Sequence, residues 1–320
     1  MSASANILRL AVLWAAAAAA LALLGLVTWG LWYRAGDHTE KLLSERRPLA
    51  QAEEHLLADS AGYRNFSFRL TDKLGRVTTG SLRVPDCIKG RKKPLPAILV
   101  LGGHGTGARA AGLIRLKQEA VICAMDYPPY PEGKITLLDL PGLIRKIDRA
   151  QAAVLEAVGM AFSALDYLCA RSEVDTGRVT VLGASFGAPF AVITALDPRV
   201  RGLVLIHGAG DLEQVIGWNL RGRIKSGFLR KAASLILGTL TAPFEPAAYI
   251  GRVGPRPVLM INSTGDEKIP EPCVKKLFFN ASDPKELIWL ESSHIHPSNR
   301  ALIDSVTNTV SAWLEEKDLL

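Results

Sequence analysis

Short runs of apolar and β-branched residues recur along this chain, and most of them end at a glycine, asparagine or aspartate. Helically spaced stretches lie between them, so the pattern is of strands buried on both faces with helices covering them. Ala97 to Leu101 (AILVL), Ala120 to Met125, Arg178 to Leu182 (RVTVL), Leu203 to Ile206, Pro257 to Asn262 (PVLMIN) and Glu286 to Leu290 (ELIWL) each predict such a strand. Arg64 to Leu70 and Thr78 to Val84, separated by Asp72-Lys73-Leu74-Gly75-Arg76, predict an antiparallel hairpin that opens the sheet. The amphipathic run Leu143 to Arg171 predicts a crossover helix, and Ala188 to Leu196 predicts a second helix. A mostly parallel sheet with helices on both faces follows, an α/β fold.

Two stretches break the alternation. Leu10 to Tyr33 is 24 residues without a charge, about 36 Å as a helix and enough for a hydrocarbon core of roughly 30 Å. With Trp29, Trp32 and Tyr33 at its end and Arg34 after it, residues 1–34 are expected to form an N-terminal transmembrane helix. The run is longer than the apolar core of a cleavable signal peptide, about 7 to 15 residues, although the A-x-A triplets of Ala15 to Ala20 keep cleavage as the alternative. Arg9 alone precedes it, whereas Arg34, Lys41, Arg46 and Arg47 follow, which by the positive-inside comparison puts the folded domain in the cytoplasm. A signal-anchor with so short a tail would export that domain instead, so the side stays open. Residues 35–62 are charged and helical in composition and are expected to be a spacer, leaving 63–320 as the folded domain. Within it, 211–251 is expected to be a small cap. There Leu220, Ile224 and Phe228 make one apolar helical stripe among Arg221, Arg223, Lys225, Arg230 and Lys231. A cap helix with a solvated basic face and a lid on an anionic membrane surface are both compatible with that pattern.

Candidate chemistry sits at the strand ends. Gly183-Ala184-Ser185-Phe186-Gly187 joins an expected strand to an expected helix and has the G-x-S-x-G form of a nucleophile elbow. Asp266 follows the strand ending at Asn262, and His294 follows the strand ending at Leu290, so serine, acid and imidazole occur in the order such a triad requires. His296, two residues on, is the competing base. It precedes Pro297, and His294 is nearer the strand end. Gly102-Gly103-His104-Gly105-Thr106-Gly107 is a glycine-rich turn after an early strand. The N–H groups of Thr106 and Phe186 are the expected oxyanion-hole donors. His207 also ends a strand but precedes the acid in the chain and is not assigned as the base. The four cysteines lack zinc spacing, and neither a metal nor an organic cofactor is expected. A net charge of +7 and 48% hydrophobic residues suit a folded domain with an apolar leader. Without a recognition motif the basic residues do not argue for nucleic acid.

Through Val174-Asp175-Thr176-Gly177-Arg178-Val179-Thr180-Val181-Leu182-Gly183-Ala184-Ser185-Phe186-Gly187 and Gly254-Pro255-Arg256-Pro257-Val258-Leu259-Met260-Ile261-Asn262 the chain resembles the α/β-hydrolase superfamily, in its dienelactone-hydrolase-like and acetyl-esterase-like branch. The resemblance covers about Tyr63 to Leu314. It implies an α/β-hydrolase fold and a serine hydrolase with Ser185, Asp266 and His294 as its triad; joined to the N-terminal helix expected above, the reading is a membrane-anchored enzyme acting on small-molecule or lipid-like carboxylic esters or thioesters. Dienelactone hydrolases proper carry cysteine where this chain has Ser185, so ordinary esters are favoured over lactones. Acyl transfer on the same triad, or an anchored binding domain without activity, are the competing functions.

Overall fold

The structure is a computed structural model that describes residues 3–60, 62–88, 93–129 and 140–320. A 33-residue helix, α1 (Ala3–Ala35), and a single-turn helix, α2 (Thr39–Leu43), lead into β1 (Leu49–Ser60), β2 (Tyr63–Asp72), β3 (Val77–Pro85), β4 (Leu95–Leu101) and β5 (Val121–Met125). Then come α3 (Leu140–Cys169), β6 (Val174–Ala184), α4 (Ala188–Thr194) and β7 (Val200–Ile206). The cap contributes α5 (Leu212–Asn219) and α6 (Gly227–Thr241). Last are β8 (Val258–Ser263), α7 (Glu271–Asn280), β9 (Lys285–Leu290) and α8 (Arg300–Glu316).

The nine strands make one sheet in the order β1-β2-β3-β5-β4-β6-β7-β8-β9. Strands β5, β4, β6, β7, β8 and β9 run parallel, while β1, β2 and β3 are antiparallel to their neighbours. Alternate residues of the parallel strands point to opposite faces, as the pleat requires. Leu99, Val181, Leu205 and Met260 pack with Phe162 and Leu165 of α3 and Phe190 and Ile193 of α4. Ile98, Val100, Leu182, Val204 and Ile261 pack with Val306, Val310 and Trp313 of α8. Burial on both faces is what made these strands read as continuous apolar runs.

Segment 35–62 is not the helical spacer expected from its composition. Its second half is β1, which pairs antiparallel with β2 from Leu49 opposite Asp72 to Ser60 opposite Tyr63. An edge strand needs backbone partners on one side only, and its largely exposed side chains carry no apolar alternation. Just before β1, Leu42 is fully buried, and Arg46 pairs with Asp166 of α3 at 2.6 Å and with Asp197 at 2.9 Å. The sheet therefore begins at Leu49 rather than at Tyr63.

The cap is helical, but the stripe of Leu220, Ile224 and Phe228 does not exist on one helix. Leu220 belongs to a 3₁₀ turn (Leu220–Gly222), and α6 begins only at Gly227, where the Ser226 hydroxyl accepts the Leu229 N–H at 3.4 Å. Gly222 and this N-cap serine separate the two apolar segments. Phe228 is 82% exposed, and Leu229, Leu235 and Ile236 are exposed along the same helix. The end of α1 meets the cap. Arg34 pairs with Glu213 of α5 at 2.5 Å, Gly30 approaches Thr239 of α6, and beyond the helix Asp37 pairs with Arg252 at 2.8 Å.

Candidate active site

The turn between β6 and α4 leaves room for nothing larger than hydrogen at two positions. A Cβ on Gly187 would run into the carbonyl of Leu101, and one on Gly183 would press on Ala191 and on the Ala188 backbone at 2.8 Å. Between them Ser185 has φ +51°, a left-handed conformation that costs a non-glycine residue on the order of 1–3 kcal/mol. That conformation lifts the Ser185 side chain out of the strand at the carboxyl edge of the sheet, where Oγ lies 2.8 Å from Nε2 of His294.

His294 arrives from the loop after β9, and two contacts hold it. Its backbone N–H donates to Glu267 at 3.2 Å, and its Nδ1 lies 2.8 Å from Oδ2 of Asp266. Asp266, in the loop after β8, receives the N–H groups of Lys268 and Ile269 on its other oxygen at 2.8 and 2.9 Å. Its side chain is 2% exposed. Burial works against the charge, yet the hydrogen bonds from His207, His294 and the Lys268 backbone hold its carboxyl well below the usual carboxylate range. An ionised carboxylate only accepts hydrogen bonds, so His294 carries its proton on Nδ1 and presents a bare Nε2 to the serine hydroxyl. That arrangement can take a proton from Oγ and hold it, which is the chemistry of an activated serine.

The structure thus brings Ser185, Asp266 and His294 together. His296 is exposed, with Nδ1 at 2.7 Å from the hydroxyl of Ser298 rather than on Ser185 or Asp266. Asp211 is the N-cap of α5 and pairs with Lys276 at 2.9 Å. Thr106 does not fit the oxyanion role expected of it, because its N–H closes a tight turn onto the carbonyl of Gly103 at 3.0 Å. Four residues of the glycine-rich loop fold back on themselves, which a linear reading of its spacing does not show. Phe186 directly follows Ser185 in the turn, and Gly103 is the loop residue that approaches the serine, a Cβ there falling 3.8 Å from Ser185 Cβ.

His207 is the group that sequence order set aside. Its Nδ1 lies 2.6 Å from the same Asp266 oxygen that His294 uses. The available signal was its position at a strand end on the carboxyl edge of the sheet.

Two cavities meet at Ser185. One, of about 350 Å³, runs beneath the cap and is lined by Phe190, Leu212, Val215, Ile216, Phe244 and Ile269. The other, of about 520 Å³, lies between the glycine-rich loop and the histidine loop and includes Arg109, His104, His296, Ser298 and Thr307.

No protein-family model matches the chain. It is 31% identical over 129 residues to an α/β-hydrolase domain-containing protein of Arabidopsis thaliana, covering 38% of this chain and 40% of that one. It is 35% identical over 57 residues to an α/β hydrolase of Aspergillus fumigatus, covering 18% and 13%. The chain therefore spans less than half the length of either relative it matches. Among solved structures it is similar to an acetyl xylan esterase from a Paenibacillus species, with a TM-score of 0.63, 18% identity and coverage of 87% of this chain and 93% of the other. Acetyl xylan esterase 1 from a Thermoanaerobacterium species gives 0.61, 17%, 84% and 91%. At such identities the structural likenesses speak for the fold alone. Relatives in sequence and neighbours in structure point the same way: over the matched segments the chain is similar to α/β-hydrolase proteins, and its fold is the one the two esterase structures share.

Proposed function

We propose that this protein is a serine hydrolase of carboxylic esters, held at a membrane by α1. The observation that carries the first half is the continuous hydrogen-bonded line from Ser185 Oγ through His294 to Asp266, 2.8 Å at each link. Ser185 attacks the ester carbonyl while His294 takes its proton, and His294 then returns it to the departing alcohol. Asp266 keeps the imidazole in the required tautomer and offsets its charge. Water repeats the sequence on the acyl-enzyme. The developing oxyanion is met by the Phe186 N–H and by the backbone of the Gly103-His104 segment, which takes the place assigned from sequence to Thr106. Two structural neighbours are acetyl xylan esterases, so the fold is one on which ester hydrolysis is carried out.

The two cavities divide the substrate. The apolar one under the cap takes the acyl group, and the one containing Arg109 and Ser298 takes the alcohol. A fluorophosphonate probe is expected to label the protein, which is expected to hydrolyse a series of p-nitrophenyl esters. Ile216→Trp, which narrows the cap cavity, should lower kcat/KM for the longer acyl chains by about tenfold or more while sparing acetate, since each methylene in an apolar pocket is worth roughly 1–3 kcal/mol. An equal loss at every chain length would remove the cap cavity from the acyl role. Absence of both labelling and turnover in the folded chain would defeat the hydrolase reading itself.

The membrane half rests on α1, about 50 Å long by helix geometry, with Trp14, Leu21, Leu24, Leu31 and Trp32 exposed. The exposed Phe228, Leu229, Leu235 and Ile236 of α6 lie on the helix that α1 touches, beside Lys231, and suit an anionic lipid surface. The full chain should remain in the membrane pellet through an alkaline carbonate wash, and deletion of residues 1–34 should release a protein that still hydrolyses a short water-soluble ester. Release of the full chain by the wash would rule the anchor out.

A further inference from the structure

His207 follows β7 with φ +53° and is 1% exposed, and the reaction as described gives it no task. A buried imidazole held in a left-handed backbone carries two costs, and an apolar side chain would fill the same space without desolvating a ring. Its hydrogen bonds are directional. Nε2 lies 3.2 Å from the Ser263 hydroxyl, and Ser263 is 2.6 Å from the Ser292 hydroxyl. The ionised Asp266 carboxylate can only accept, so His207 keeps a proton on Nδ1, 2.6 Å from Asp266 Oδ2. Both imidazoles then donate to one carboxylate oxygen, and the 3.2 Å between their Nδ1 atoms is the approach of two donors to a shared acceptor.

We propose that His207 is a positioning residue which, by sharing Oδ2 of Asp266 with His294, fixes the carboxylate and limits how tightly it holds the proton that His294 takes from Ser185. This rests on the reading of Ser185, Asp266 and His294 given above. With His207 present, the charge on Oδ2 is divided between two N–H groups. Without it, that charge falls on the His294 N–H alone, so imidazolium persists to higher pH and the free base needed for attack appears later. Other charged and titratable groups surround the trio. Glu267 accepts the His294 N–H, Lys268 lines both cavities, Arg109 and His104 stand across the larger cavity, and the Asp211–Lys276 pair lies on the turn after His207. The substitutions below leave all of these in place.

The test compares His207→Ala with His207→Asn in the full chain, using a short p-nitrophenyl ester across pH. Asparagine offers an amide N–H near the Nδ1 position and tolerates the left-handed backbone, whereas alanine does neither. His207→Ala should lower kcat by about tenfold or more, since a small misplacement of a catalytic group can cost on the order of 10²-fold. KM should change little, and the acid limb of kcat/KM should move to higher pH. His207→Asn should recover most of kcat and return the limb toward its original position. Melting temperatures of both variants separate loss of fold from loss of positioning. An unmoved limb in folded His207→Ala, or a His207→Asn variant as impaired and as displaced as His207→Ala, would overturn the proposal. In either case, intact fluorophosphonate labelling at Ser185 would leave the triad reading standing, while a wild-type chain that fails to label there would sink both.

Discussion

Ser185→Ala is expected to abolish fluorophosphonate labelling and to lower ester turnover by on the order of 10⁶, the scale at which removal of a triad serine acts. The size follows from the geometry. Oγ is the only atom removed, and it is the atom that His294 Nε2 contacts at 2.8 Å, so the variant keeps both cavities and the buried strand β6 but has no bond-forming group. Substrate should still bind, leaving KM or an inhibitor dissociation constant near its original value while kcat collapses. Ser185 also stands in a left-handed backbone between Gly183 and Gly187. Alanine inherits that strain without adding to it, and the thermal midpoint should shift little. A folded Ser185→Ala protein that retains substantial turnover, or that still labels, would move the nucleophile elsewhere.

The parts of the fold that could be read in advance are those where one physical cause dominates. Strands β4, β6, β7 and β8 are buried on both faces, and that burial alone dictates their apolar runs. The elbow was legible because Gly183 and Gly187 touch neighbouring backbone at distances no side chain tolerates. Strand β1 was not legible, because it is held by its ladder to β2 and by pairs such as Arg171 with Glu54, and a charged edge strand and a charged helix have similar compositions. The cap stripe failed for a local reason. Gly222 and the Ser226 cap stop one helical segment and start another inside what looks like a single period. The Thr106 N–H turns onto the Gly103 carbonyl because backbone direction in a glycine-rich turn depends on dihedrals that residue types do not specify. The contact of His207 is one of distance, which chain order does not express. Its ring reaches Asp266 from a neighbouring strand, and nothing in the order of residues forbids a second imidazole there.

His294 and His296 give the sharpest contrast between neighbours. They are two residues apart in one loop and both border the larger cavity, yet only His294 has a nitrogen on Ser185 and the other on Asp266. His296 spends its Nδ1 on the Ser298 hydroxyl, and its carbonyl accepts the Asn299 N–H just before α8. His294→Ala should therefore match Ser185→Ala in lost turnover, and the double variant should be no worse than either alone, because in the proposed mechanism the two groups serve one proton transfer. His296→Ala should retain turnover within about tenfold of wild type and lose no more than the fraction of stability expected for an exposed turn residue. Any change in KM that it does show should depend on the alcohol half of the ester, since His296 lines the cavity assigned to that half. If His296→Ala is inactive and His294→Ala is near normal, the base in solution is not the residue whose imidazole bridges Ser185 and Asp266, and the histidine loop must rearrange before the ester is attacked.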